Sequence, residues 1–146
     1  GWRLGYMAAE ERLINNILKA HQHIATCASS FSQMAAAHCF RECREFVAGM
    51  RDEYERRRDF LHDGINRLNN FSSQKPGGTF YLFMNIKKLK RPSGEFAGAL
   101  LDKARLVVTP GSSYGPSGEG FVRIAYTKPM DVLKEAVKRL EAFDHE

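Results

Sequence analysis

The spacing of the apolar residues changes near Asn69 and Asn70, and this change constrains the fold more than any other feature of the sequence. Before it, apolar residues recur every three or four positions, as on one face of a helix. After it, they alternate or form short runs, as in strands. Helical sequence followed by strand sequence predicts an α+β chain, with helices packed on a small antiparallel or mixed sheet.

Two helices are predicted in the first third of the chain. Apolar residues from Leu13 to Leu18 share one helical face, and the period is lost over residues 21–29, which are predicted to form a loop. Ser30 and Gln33 have the spacing of a capping box, in which two side chains satisfy free backbone N–H groups at a helix start. The second helix is therefore expected to run from Ser30 to about Cys43.

A third and longer helix is predicted from Phe46 to Leu68, where apolar residues recur at intervals of three, four and seven. At 1.5 Å per residue its length would be about 35 Å. This is long for a chain of 146 residues. We expect it to link two lobes, with the boundary between them near residue 44.

Strands and helices alternate in the remainder. The sequence predicts a central strand over residues 79–85, a helix from Pro92, a short strand over residues 106–109, a strand over residues 121–126 and a final helix near Pro129. Residues 1–8 also alternate between bulky and small or polar side chains, which predicts a strand there. Such a start, without an initiator methionine, indicates a piece of a longer protein.

Composition excludes several classes of protein. Hydrophobic residues are 43% and charged residues 27% of the chain, which is typical of a globular domain rather than a disordered one. No apolar run approaches the roughly 20 residues of a membrane span. The formal net charge is +5, but acids alternate with the arginines between Arg41 and Arg58. This pattern favours a solvated helix face, so neither nucleic acid nor membrane is expected as a partner.

The cysteines indicate neither a disulfide framework nor a metal site. Cys27, Cys39 and Cys43 are an odd number without regular spacing, so a reducing, cytoplasmic location is expected, with an organelle left open. Cys39, Cys43 and the neighbouring His38 would need further ligands for zinc, and the sequence offers no second pair at suitable spacing. No metal is therefore expected.

Two arginines stand in apolar strand sequence. Arg123 lies in the middle of a predicted strand, and a buried guanidinium needs an anion, whose carboxylate it can hold through two N–H groups. Glu119 is the nearest acid in sequence, but it is badly placed to pair with Arg123. An edge strand with Arg123 in solvent explains the pattern equally well. Arg3, between Gly1 and Gly5, is suited to hold a phosphate or is simply solvated.

Four segments, in order and at consistent spacing, resemble motifs of the class I/II aminotransferases, which are pyridoxal-phosphate enzymes of fold type I. They are Gly1–Tyr6, Pro76–Phe83, Val108–Gly115 and Gly118–Ile124. The resemblance covers essentially the whole chain. It implies that Arg3 contacts the phosphate of pyridoxal phosphate and that Arg123 binds the α-carboxylate of the substrate.

The resemblance also implies a domain organisation. Residues 1–44 would be the C-terminal remnant of the large α/β cofactor domain. Residues 45–146 would be the long linking helix and the small C-terminal domain. Residues 20–30 would form a loop that reaches toward the partner subunit's site in a homodimer.

By the same resemblance, the lysine that forms the Schiff base lies upstream of Gly1, so the chain has no catalytic residue of its own and is expected to be inactive alone. The parent would transfer an amino group from an amino acid to a 2-oxo acid, with the substrate pair left open. Two alternatives remain. The parent could be another fold type I enzyme, a β-lyase or a synthase, or the chain could be a non-enzymatic domain that binds ligands or partners.

Overall fold

The computed structural model describes residues 1–145, which form two compact units, Gly1–Gly49 and the residues from Met50 onward. Helix α3, Arg44–Asn66, runs through the division. Its 23 residues confirm the long helix that the sequence predicts. None of the helices described is both long enough and apolar enough to cross a membrane.

The first unit contains α1 (Glu11–Ile24), α2 (Ser30–Glu42) and the start of α3. Residues 1–10 have no regular secondary structure, so the strand predicted over residues 1–8 is wrong. A strand needs a neighbour to pair its backbone N–H and C=O groups, and the described part of this unit contains no other strand. Arg3 also has φ +53°, which no strand residue adopts.

Helices α1 and α2 differ from their predictions at one end each. Helix α1 continues to Ile24, and the N–H of Ala25 donates to the carbonyl of His21 at 2.9 Å, so the loop is shorter than predicted. Helix α2 begins at Ser30, so its N-cap residue is Ser29, whose side chain makes no capping hydrogen bond. The predicted capping box, which needs Ser30 at the N-cap, is therefore wrong. The Gln33 side chain instead donates to the carbonyl of Ala28 at 2.8 Å.

The second unit contains a four-stranded sheet with every pair antiparallel, which confirms the predicted α+β class. The strands are β1 (Ser72–Ser73), β2 (Tyr81–Asn85), β3 (Thr109–Pro110) and β4 (Phe121–Ala125). Their spatial order is β1-β2-β4-β3, so β2 and β4 are the inner strands. The inner position predicted for β2 is therefore confirmed.

Two further helices complete this unit, α4 (Ser93–Ala104) and α5 (Met130–Asp144), close to their predicted starts. The strand predicted over residues 106–109 is wrong over most of its length. The backbone N–H of Leu106 donates to the carbonyl of Leu100 at 3.3 Å. This N–H group therefore satisfies a carbonyl at the C-terminus of α4 and does not pair with another strand.

One face of the sheet forms the core of the second unit. Leu82 and Met84 of β2 and Val122 of β4 are buried on it. The helices contribute a set of buried apolar side chains: Leu61, Ile65, Phe96, Leu100, Leu133 and Leu140. Because side chains alternate along a strand, the residues between them lie on the opposite face, and that face carries the candidate site.

Candidate functional site

Arg123 occupies the middle of the open sheet face. It is paired with Phe83 of β2 on one side and with Thr109 of β3 on the other. Strand β4 is therefore an inner strand, and the alternative that placed Arg123 on a solvated edge strand is wrong. Its side chain is half-buried against the sheet.

Two tyrosine rings contact the Arg123 guanidinium. Its Cζ atom lies 3.9 Å from the centroid of the Tyr81 ring and 4.9 Å from the centroid of the Tyr114 ring. Within residues 1–145, no carboxylate forms an ion pair with Arg123 and no group forms a hydrogen bond with it. The guanidinium is thus held by ring faces while its N–H groups stay available.

An open cavity of about 640 Å³ lies in front of this face. Aromatic side chains form much of its wall, with Tyr81, Phe83 and Tyr114 among them. Lys75 also lines the cavity, but its ammonium lies 2.8 Å from a carboxylate oxygen of Asp59. Of the cations that line it, Arg123 is therefore the one with no carboxylate partner in the described chain.

Glu119 is occupied elsewhere, which confirms that it is badly placed for Arg123. Its carboxylate accepts the backbone N–H of Ser93 at 2.7 Å, the Ser93 hydroxyl at 2.9 Å and the N–H of Gly120 at 3.0 Å. These hydrogen bonds, the two backbone N–H groups first, hold the pKa of the Glu119 carboxyl below its ordinary value of 4.5. The contact fastens the start of α4 to the end of the loop that precedes β4.

That loop, residues 111–118, presents Tyr114 to the site. Ser112 donates its N–H to the Ser93 hydroxyl at 3.3 Å, and the Tyr114 ring packs against Phe83 with centroids 5.7 Å apart. Gly111 and Gly118 lie back to back: a Cβ on Gly111 would be 1.9 Å from the Gly118 carbonyl oxygen. Only residues without a side chain allow this approach of two backbones.

Arg3 belongs to the first unit and is exposed, with no carboxylate partner in the part of the chain that is described. Two aromatic residues of the same N-terminal segment contact rings of α2: Trp2 lies 5.6 Å from Phe31 and Tyr6 lies 5.3 Å from Phe40, between ring centroids. Arg3 thus lies in the first unit and Arg123 in the second.

Sequence reasoning missed the two tyrosines. Tyr81 stands two residues before Phe83, so the strand period alone puts both on one face. That Tyr81 stacks on Arg123 depends on the pairing of β2 with β4, and the contact of Tyr114 depends on the loop geometry. Neither is visible in the pattern of residues.

Comparison with known proteins bears on the whole chain. Residues 1–140 match the model of the family described as aminotransferase class I and II. The chain is 41% identical over 143 residues to aromatic-amino-acid aminotransferase 2 of Thermococcus litoralis and, over the same length, to an aspartate aminotransferase of Pyrococcus abyssi. Each alignment covers 97% of this chain and 36% of the relative.

A solved structure gives the same result. The aromatic aminotransferase from Pyrococcus horikoshii OT3 superposes with a TM-score of 0.85 at 38% identity, over 97% of this chain and 38% of that one. The chain therefore spans little more than a third of the length of its relatives. The match over residues 1–140, the identities and the shared fold confirm the resemblance of the four motifs: the chain belongs to the class I and II aminotransferase family.

Proposed function

We propose that the full-length protein containing this chain is a pyridoxal-phosphate-dependent aminotransferase that moves an amino group between an amino acid and a 2-oxo acid. The observation that carries the proposal is Arg123, a half-buried guanidinium without a carboxylate partner, facing an open cavity in a chain of this family. The relatives are named for aromatic and aspartate substrates, so the substrate side chain stays open.

In this proposal Arg123 binds the α-carboxylate. Two of its N–H groups donate to the two carboxylate oxygens, and this bidentate contact fixes both the position and the orientation of the amino acid. The aromatic wall of the cavity limits water around the pair, which strengthens the attraction between the charges. The role of Arg123 is binding and orientation, not proton transfer.

The proposed cofactor contact is Arg3. Its exposed guanidinium has no carboxylate partner within residues 1–145, and its five N–H donors fit a phosphate, so the residue is suited to this end of pyridoxal phosphate. When bound, the cofactor supplies the electron sink that lets an amino acid release its α-proton. We place the lysine that binds it upstream of Gly1, so the chain alone is expected to be inactive.

The domain organisation belongs to the same proposal. Residues 1–44 would complete the large cofactor domain, and residues 45–146 would form the linking helix and small domain. Residues 20–30, which include the turn after α1, would reach toward a second copy of the protein in a homodimer.

The reaction is tested by following the amino group. Full-length protein with pyridoxal phosphate is incubated with a panel of ¹⁵N-labelled amino acids and 2-oxo acids. We expect ¹⁵N in a new amino acid, in equal amount to the 2-oxo acid formed from the donor. Labelled ammonia without a new amino acid would instead indicate a lyase, and no turnover over the whole panel would favour a domain that only binds ligands.

The role of Arg3 is tested separately from activity. Arg3→Ala in the full-length protein is expected to weaken pyridoxal phosphate binding by about 10- to 100-fold, because hydrogen bonds to a charged group contribute about 1.5–3 kcal/mol. The measurement is the cofactor Kd from absorbance after dialysis. Arg12→Ala, at an exposed position of α1, is the matched control and should bind as the parent does. Equal cofactor binding by the Arg3 and Arg12 variants would refute the assignment.

A further inference from the structure

Arg123 is held in an unusual way for a charged side chain in a sheet. A partly buried guanidinium is commonly fixed by a carboxylate, which neutralises it and uses its N–H groups. Here the contacts are ring faces, Tyr81 at 3.9 Å and Tyr114 at 4.9 Å from Cζ. A ring face attracts the cation but does not use its N–H groups as hydrogen-bond donors.

No carboxylate is among the described residues that line the cavity, and Glu119 and Asp59, which contact its neighbouring elements, are already engaged. Glu119 accepts three hydrogen bonds from Ser93 and Gly120. Asp59 forms an ion pair with Lys75 of the cavity wall and also accepts a hydrogen bond from the Arg58 guanidinium at 2.8 Å. No anion of the described chain therefore competes with an incoming carboxylate for Arg123.

The two rings are themselves held in place. Tyr81 packs on Phe80 with centroids 4.4 Å apart, and Tyr114 packs on Phe83 at 5.7 Å. One ring comes from a central strand and the other from the loop closed by Gly111 and Gly118. The side chain of Arg123 is thus restrained by two separate elements before any ligand arrives.

Arg57 provides a contrast within the same unit. It also lies over a ring, with Cζ 5.5 Å from the Tyr54 centroid. Its N–H groups, however, donate to Glu53 at 2.7 Å and to the carbonyl of Thr127 at 3.0 Å. A ring contact alone therefore does not make a binding site, and what distinguishes Arg123 is ring contacts together with free N–H groups.

We propose that Tyr81 and Tyr114 are positioning residues. They hold the Arg123 guanidinium in place without pairing it to a protein carboxylate, so that its N–H groups are directed to a carboxylate ligand. The proposal rests on the proposed function of Arg123. It requires the ring faces and not the hydroxyl groups. Both tyrosines would act through Arg123, so their loss should weaken carboxylate binding more than it slows the chemical steps.

The test uses the full-length holoenzyme and 3-phenylpropanoate, a carboxylate without an amino group, as an unreactive probe. Tyr81→Leu and Tyr114→Leu are each expected to raise the probe Kd by about 5- to 30-fold, the range that corresponds to a cation–π contact. The substrate KM should rise in parallel with kcat nearly unchanged, as for the loss of uniform binding. Tyr81→Phe and Tyr114→Phe keep the ring faces and should bind as the parent does.

The outcomes separate this inference from the function on which it rests. If Arg123→Ala leaves the probe Kd unchanged, the carboxylate-binding role that the proposed function gives to Arg123 is wrong, whereas the ¹⁵N transfer tests the reaction itself. If Arg123→Ala weakens binding but the leucine variants do not, only the role of the rings is wrong. If the phenylalanine variants lose as much probe affinity as the leucine variants, the tyrosine hydroxyls are responsible for the effect, and this result also overturns the inference.

A shape-conserving variant covers the case in which a leucine variant does not fold. Pentafluorophenylalanine keeps the shape of the phenylalanine ring, while fluorine withdraws electron density from its face and removes the attraction for a cation. Placed at position 81 or 114, it should raise the probe Kd as leucine would. Binding equal to that of the phenylalanine variant would overturn the proposal.

Discussion

Replacing Arg123 by alanine is expected to lower kcat/KM of the full-length protein by about 10²- to 10⁴-fold. The change removes two charge-assisted hydrogen bonds, each contributing about 1.5–3 kcal/mol, and a tenfold rate change corresponds to 1.36 kcal/mol. Cofactor binding should be retained, because Arg123 belongs to the second unit and is not assigned to the phosphate. Steady-state kinetics with the best donor from the labelled panel measures the loss.

Two further variants define what the Arg123 site requires. Arg123→Lys keeps the charge but loses the planar pair of donors, so it should recover only a part of the activity. Arg139→Ala removes an exposed arginine whose Nε donates to Glu135 at 2.9 Å, and it should leave kcat/KM unchanged. An Arg123→Ala enzyme with parental kcat/KM would mean that another group binds the carboxylate.

The helices and strands that could be predicted are those whose apolar period and flanking turn residues are contained within the segment itself. Helix α3 repeats its apolar positions over 23 residues, and β2 combines an inner apolar run with a turn before it. The strand predicted at residues 1–8 has the correct alternation but no partner within the described residues, and pairing decides whether a strand forms. Strand β1 has two residues, too few to establish a period.

The sequence allowed the charged residues of the candidate site to be predicted, but not the residues that hold Arg123 in place. An arginine inside apolar strand sequence is conspicuous because it needs a ligand or a partner, and both Arg3 and Arg123 stand out in this way. The supports of Arg123 come from register and loop geometry. Phe83 lies opposite Arg123 although the two residues are far apart in sequence, and Tyr114 comes from a loop whose shape depends on Gly111 and Gly118.

The close approach of Gly111 and Gly118 leads to the second large effect. Gly111→Ala in the full-length protein is expected to lower the free energy of unfolding of the second unit by about 3 kcal/mol or more. Its Cβ would lie 1.9 Å from the Gly118 carbonyl oxygen and 2.6 Å from that of Phe121. Both obstacles are backbone atoms, one of them in β4, so no side chain can rotate away to make room. The midpoint of urea-induced unfolding measures the change.

Gly98→Ala is the matched control, because a Cβ on this glycine of α4 meets no atom within 4 Å. In an exposed helix position alanine should stabilise by up to about 1 kcal/mol, so the two glycine variants are expected to move the midpoint in opposite directions. Gly111→Ala should also raise the Kd for 3-phenylpropanoate, since separating the two backbones displaces the loop that carries Tyr114. A Gly111→Ala protein with the stability of the Gly98→Ala protein would refute the close approach. A destabilised protein that still bound the probe with parental affinity would mean that the loop can shift without moving Tyr114 from Arg123.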